Sequence, residues 1–188
     1  MFHPLDLPRS MLVCVLLIIA AVSPPSQGQT SDPGPGKAVF HIGNSFTAHG
    51  EIPDSLLWLT EQAGVKGATS GKSVRWGANL RTHKEPPYSI NNVGFTPWNI
   101  ALVPEKKWDV LVLQPWDGGN IEEDVQHAAD YYRAALAGNP DLQVYLYCYG
   151  NTLGETPENA RTPARALSYF ETLADRLSAA FPDRRPVY

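Results

Sequence analysis

The sequence predicts an α/β protein of three layers, with a mostly parallel sheet between two layers of helices. Three observations carry this. Strand-like and helix-like segments alternate between residues 37 and 188. Val110–Leu113 is an unbroken apolar run, as expected of a strand covered on both faces. Three other stretches repeat apolar residues at helical spacing and are bounded by helix start or stop residues.

The elements follow in order. Residues 11–22, MLVCVLLIIAAV, are apolar throughout but shorter than the roughly 20 residues a membrane-spanning helix needs. Asp6 and Arg9 precede the run, and Ser26-Gln27-Gly28 supplies small residues after it. Residues 1–28 therefore read as a signal peptide cleaved near Gly28, which predicts a secreted or periplasmic protein; an uncleaved anchor is the alternative. Residues 29–36, QTSDPGPG, read as a flexible linker, leaving 37–188 as one domain. About 160 residues remain after cleavage, enough to bury a sizeable core.

Within that domain, residues 37–42 read as a strand that ends in a Gly43-Asn44 turn. Residues 52–63 read as a helix with Ile52, Leu56, Leu59 and Ala63 on one face and Gly64 as the stop. Val74 marks a short second strand. Residues 81–108 contain Pro86, Pro87, Pro97 and Pro104 and read as a long ordered loop. Residues 121–137 form the strongest helix signal, with Ile121, Val125, Ala128, Ala129, Tyr132 and Leu136 on one face. Asn120 caps that helix, and Glu123 is placed to reach back to it. Residues 143–149 read as a strand. Thr162-Pro163 opens a helix whose buried stripe is Ala166, Leu167, Phe170, Leu173, Ala174, Leu177 and Phe181. Pro182 ends it, and residues 186–188 read as the beginning of another strand.

Several chemistries are disfavoured. The net charge of −4 leaves no basic nucleic-acid footprint, so no nucleic-acid partner is expected. Gly67-Ala68-Thr69-Ser70-Gly71-Lys72-Ser73 imitates a P-loop but is one residue short and follows a helix, so it reads as a polar loop. No His, Cys, Asp or Glu spacing resembles a zinc or calcium site. Signal cleavage removes Cys14 and leaves Cys148 without an intrachain disulfide partner. Its setting among Val144, Tyr145, Leu146, Tyr147 and Tyr149 reads as that of a core thiol, because a nucleophilic thiol needs an exposed, electropositive setting.

Sites in open α/β sheets form at the carboxyl ends of strands. The first such end here is Gly43-Asn44-Ser45-Phe46-Thr47. A serine on a tight strand-to-helix turn is placed to be a nucleophile, and its own N–H is placed to help hold an oxyanion. Capping of the following helix is the alternative role for Asn44 and Ser45.

Residues 42–47, IGNSFT, resemble the first block of the SGNH hydrolase superfamily, the GDSL-type esterases, and more narrowly a secreted bacterial branch with a GNSFT block. Trp76-Gly77-Ala78-Asn79-Leu80 resembles the second block, and residues 108–114, WDVLVLQ, resemble the strand leading into the third. The resemblance spans 37–188. It implies a flavodoxin-like fold, ester hydrolysis without a metal or organic cofactor, Ser45 as nucleophile, and the N–H groups of Ser45 and Gly77 as oxyanion-hole donors. The third donor is normally an Asn in a G-x-N pattern. Here residues 114–120 read QPWDGGN, so Gln114 is the first candidate, with Asn120 second.

The resemblance also implies a D-x-x-H block after the last strand, and no histidine follows His127. Asp124-Val125-Gln126-His127 has the spacing but lies too early, on a helix whose solvated face explains both residues. His41 reads as pointing away from Ser45, whereas His49 is placed to line the site. A chain cut before its last block accounts for both the missing base and the strand-like end, and predicts weak or absent turnover. Trp76, Trp116 and Asn79 are candidates for substrate binding, with Trp98 a further aromatic nearby, and Arg75 and Arg81 flank the second block. The expected function is hydrolysis of a small-molecule or carbohydrate ester outside the membrane. The alternative is a non-catalytic glycan-binding protein on the same fold.

Overall fold

The computed structural model describes residues 35–85, 97–116, 120–148 and 163–188. The predicted signal peptide, most of the predicted linker, and residues 86–96, 117–119 and 149–162 lie outside the described residues. Pro35 and Gly36, at the end of that linker, run alongside Lys66, and the Gly36 N–H donates to the Lys66 carbonyl at 2.7 Å.

The elements are β1 (Ala38–Gly43), α1 (Ser45–His49), α2 (Ile52–Gln62), β2 (Thr69–Val74), a 3₁₀ turn (Thr82–Lys84), α3 (Trp98–Ala101), β3 (Val110–Leu113), α4 (Ile121–Leu136), β4 (Gln143–Leu146) and α5 (Pro163–Ala180). The four strands form one sheet in the order β2-β1-β3-β4, parallel throughout. Beyond α5, the backbone of Tyr188 bonds to both Val144 and Leu146, so the chain runs beside β4 there.

The sheet register sorts the core. Phe40, Leu111 and Val144 form one row across β1, β3 and β4, and Ile42, Leu113 and Leu146 form the next row on that face. This face packs against α4 and α5 through Ala128, Ala129, Tyr132 and Leu177. His41, Val112 and Tyr145 alternate onto the other face, so residues 40–43 of β1 are buried on both sides. Trp108 lies over Gly71 and against Phe40, with ring centroids 5.0 Å apart. A Cβ on Gly71 would sit 2.7 Å from that indole, so glycine is what admits it.

The helix faces differ from the sequence expectation in part. In α4 the buried set is Asp124, Ala128, Ala129, Tyr131, Tyr132 and Ala135, whereas Ile121, Val125 and Leu136 are only half-buried. The stripe is turned toward Tyr131 because its phenol donates to the Leu80 carbonyl at 2.7 Å and its ring meets Trp98 edge-on. Leu167 of α5 is exposed, so the buried stripe there is Ala166, Phe170, Leu173 and Leu177. The P-loop-like segment belongs mostly to β2 and is not a loop: residues 69–74 pair with the whole of β1. The strand after α4 ends at Leu146. Among the described residues no helix is long and apolar enough to cross a membrane.

Tyr131 is the link between this core and the loop after β2. Tyr131→Phe should keep the ring packed while leaving the buried Leu80 carbonyl unpaired. The expected cost is about 1–3 kcal/mol, read as a lower midpoint in chemical denaturation with an unchanged slope.

Candidate active site

The strand order reverses between β1 and β3, and a crevice at the carboxyl ends of the strands is expected where such a sheet changes direction. Asn44 leaves β1 in an extended conformation and caps α1, its Oδ1 accepting from the Phe46 N–H at 3.0 Å. Its Nδ2 donates to the Ala78 carbonyl at 3.3 Å, tying the turn after β1 to the turn after β2. The third strand end joins through Gln114. The Asn44 N–H donates to Gln114 Oε1 at 2.9 Å, and the Thr47 hydroxyl donates to the same oxygen at 2.7 Å. A backbone N–H can only donate, so the atom it meets is the carboxamide oxygen, and the orientation of the amide follows. Gln114 is 1% exposed, and its Nε2 is buried with no hydrogen-bond partner among the described residues.

Gly43 makes room for this arrangement. A Cβ there would lie 2.1 Å from Thr47 Oγ1 and 2.8 Å from Gln114 Oε1. The Gly43 carbonyl accepts from the Arg75 N–H at 3.0 Å and from His83 Nε2 at 3.1 Å. Because that carbonyl only accepts, His83 carries its proton on Nε2, and Nδ1 accepts from the Ser73 hydroxyl at 3.3 Å. Burial lowers the His83 pKa to about 4, so the ring is neutral at pH 7. Sequence reading missed both Thr47 and His83 as members of the site. The signal for Thr47 was its place on the same turn as Ser45; His83 sits in an aperiodic stretch that gives none.

The turn after β2 spans Arg75–Ala78. Ala78 N–H donates back to the Arg75 carbonyl at 3.2 Å, and Gly77 has φ +65°, which together make a type II turn whose third residue favours glycine. Trp76 at its corner is 60% exposed and meets His49 edge-on, with centroids 4.5 Å apart. His49 lies four residues after Ser45 on α1, so the two share a helix face. Ser45 is half-buried. Its hydroxyl, its N–H and the Gly77 N–H make no hydrogen bond among the described residues. The Asn79 side-chain oxygen is occupied by Thr82, from N–H at 2.9 Å and from Oγ1 at 2.6 Å. Trp116 follows Gln114 and is half-buried.

The other expected groups have structural partners. Arg75 donates to the Thr82 and Glu85 carbonyls, and Arg81 pairs with Glu85 and Glu123. Asn120 caps α4 by accepting from Glu122 and Glu123 N–H, but Glu123 does not reach back; its carboxylate serves Arg81 and His127. Asp124 is not on a solvated face. It is 5% exposed, accepts from the Tyr169 phenol at 2.5 Å, and burial raises its pKa to about 6. His41 is buried, its pKa lowered to about 4 by desolvation. Among the described residues no group of three or more His, Cys, Asp or Glu could hold a metal ion.

No protein-family model and no curated protein sequence matches the chain. Solved structures do. A protein described as a GDSL-like lipase from Parabacteroides merdae superposes with a TM-score of 0.53 at 14% identity, over 81% of this chain and 78% of that one. The fold is that of an SGNH hydrolase. A carbohydrate esterase family 2 enzyme with a carbohydrate-binding domain, from Corynascus thermopiles (Myceliophthora fergusii), gives a TM-score of 0.49 at 12% identity over 84% of this chain. The chain spans 57% of the length of that enzyme. At 14% identity the likeness to the GDSL-like lipase is one of fold alone: a parallel sheet with flanking helices.

His83 makes this turn acid-sensitive. Its folded pKa of about 4 lies below its ordinary 6.5, so the unfolded chain binds more protons between those values and stability falls as pH drops through the window. His41 acts in the same sense and Asp124 in the opposite sense, so the comparison is made against a variant. Lowering the pH from 7 to 4 should cost wild type about 3 kcal/mol more than His83→Gln, whose amide reaches the Nε2 position without titrating. Denaturation midpoints at the two pH values check this.

Proposed function

We propose that the chain is an ester hydrolase domain of the SGNH type, with Ser45 as the nucleophile. The observation that supports this best is the Gln114 carboxamide: its oxygen is anchored on the serine turn, and its Nε2 is a buried donor with no protein partner among the described residues. The Ser45 oxygen attacks the ester carbonyl carbon while its proton passes to a base, and the carbonyl oxygen gains the negative charge. Collapse expels the alcohol and leaves an acyl-serine, which water then cleaves. The Ser45 N–H, the Gly77 N–H and Gln114 Nε2 are the three donors assigned to the oxyanion.

No imidazole is hydrogen-bonded to the Ser45 hydroxyl among the described residues. Without an imidazole on that hydroxyl, acylation is slow and turnover is expected to be weak. Asn79 has its Nδ2 left for substrate, Trp116 lies on the loop beyond Gln114, and the exposed Trp76 face suits a sugar ring, which favours an acylated carbohydrate delivered to an exported enzyme. The exposed indole equally serves the second reading, a glycan-binding protein without catalysis.

Covalent labelling separates the two. A fluorophosphonate should modify the wild-type chain at Ser45, located by mass spectrometry of peptides, and Ser45→Ala should stay unmodified. Gln114→Glu keeps an acceptor for Asn44 and Thr47 but replaces the donor with an anion, so its labelling should be slower by about 100-fold. Equal labelling of wild type and Ser45→Ala would contradict the catalytic reading and leave the binding one.

A further inference from the structure

We infer that Thr47 is a positioning residue for the oxyanion hole: its hydroxyl, together with the Asn44 N–H, holds the Gln114 oxygen and so fixes the side of the carboxamide on which the Nε2 donor lies. The inference rests on the reading of Gln114 as an oxyanion donor and adds what holds it there.

A primary carboxamide on a flexible side chain has two nearly isosteric orientations, one presenting N–H₂ and the other presenting oxygen. Only the first stabilises an oxyanion; the second places a lone pair where charge develops. One donor on the oxygen, the Asn44 N–H at 2.9 Å, leaves the amide free to swing about that bond. A second donor from a different direction removes that freedom, and Thr47 Oγ1 supplies it at 2.7 Å. Thr47 is itself 2% exposed and sits on α1 two residues beyond Ser45, so nucleophile and lock are carried by the same turn of helix.

The geometry then constrains Nε2. The oxygen and nitrogen of one carboxamide are about 2.2 Å apart, which places Nε2 within about 5 Å of the Asn44 nitrogen, one residue from the Ser45 N–H. Gly43 completes the device, since a Cβ there would strike both Thr47 Oγ1 and Gln114 Oε1. Thr47 makes no other side-chain hydrogen bond among the described residues, so it acts through Gln114.

The test uses Thr47→Val, which keeps shape and burial and removes the donor, and Thr47→Ser, which keeps the donor. Two readouts are followed in the full chain. The first is the side-chain N–H₂ resonance pair of Gln114 in ¹⁵N-labelled protein, assigned by its loss in Gln114→Glu. In wild type and Thr47→Ser it should be a single sharp pair, and in Thr47→Val it should broaden or split. The second is the fluorophosphonate labelling rate, which should fall at least about 10-fold in Thr47→Val and recover in Thr47→Ser. In a Gln114→Glu background, Thr47→Val should add no further loss. If Thr47→Val does not fold, Thr47→Ala is read in the same way.

An unchanged Gln114 resonance pair in folded Thr47→Val overturns the inference, as does a labelling loss of the same size with and without Gln114. If wild type does not label at all, the catalytic reading fails, while the resonance readout still decides whether Thr47 holds the amide.

Discussion

The Gln114 carboxamide oxygen accepts two hydrogen bonds from the turn that carries Ser45, and the rest of the site is built around that contact. Asn44 and Thr47 belong to the chain after β1, and Gln114 follows β3, so the bonds close the crevice between the two central strands. Asn44 extends the same connection to the turn after β2 through Ala78. Three loops distant in sequence are thereby fixed by a few buried amide and hydroxyl groups. A buried polar group left unpaired is costly, so this network tolerates few alternatives. Gly43 is the residue that lets the pieces approach so closely.

Behind the turn lie two buried imidazoles, both neutral at pH 7. His83 joins Ser73 of β2 to the Gly43 carbonyl, and His41 is enclosed between β2 and β3. Desolvation disfavours the imidazolium in both. Neither ring is presented to Ser45: one is spent on the backbone of the turn and the other is buried in the sheet. The imidazole that shares a helix face with Ser45 is His49, and its contact is with the exposed Trp76. Of the proposed catalytic groups, the serine turn and the candidate oxyanion donors thus have places in the described structure, and no proton acceptor is assigned.

Much of the fold could be read from residue order. Val110–Leu113 is a strand with the bounds its apolar run implied, and the long helices begin at Ile121 and Pro163 as their caps predicted. β2 was nearly invisible because Thr69–Val74, TSGKSV, is polar; pairing with β1 along its whole length makes it a strand. Asp124 looked solvated because helical spacing reports only neighbours on its own helix, whereas Tyr169 comes from α5. For the site, the serine turn, the Gly77 turn and Gln114 were legible as motif positions. The orientation of Gln114, and the parts of Thr47 and His83, were not, since they depend on strand register and on a glycine at the crossing point.

The most direct measurement is a crystal structure of the chain phosphonylated on Ser45. The account predicts the phosphoryl oxygen within about 3 Å of the Ser45 N–H, the Gly77 N–H and Gln114 Nε2, with the Gln114 oxygen still on Asn44 and Thr47. A phosphoryl oxygen directed away from these donors, or a Gln114 Nε2 bonded instead to another protein group, would contradict it.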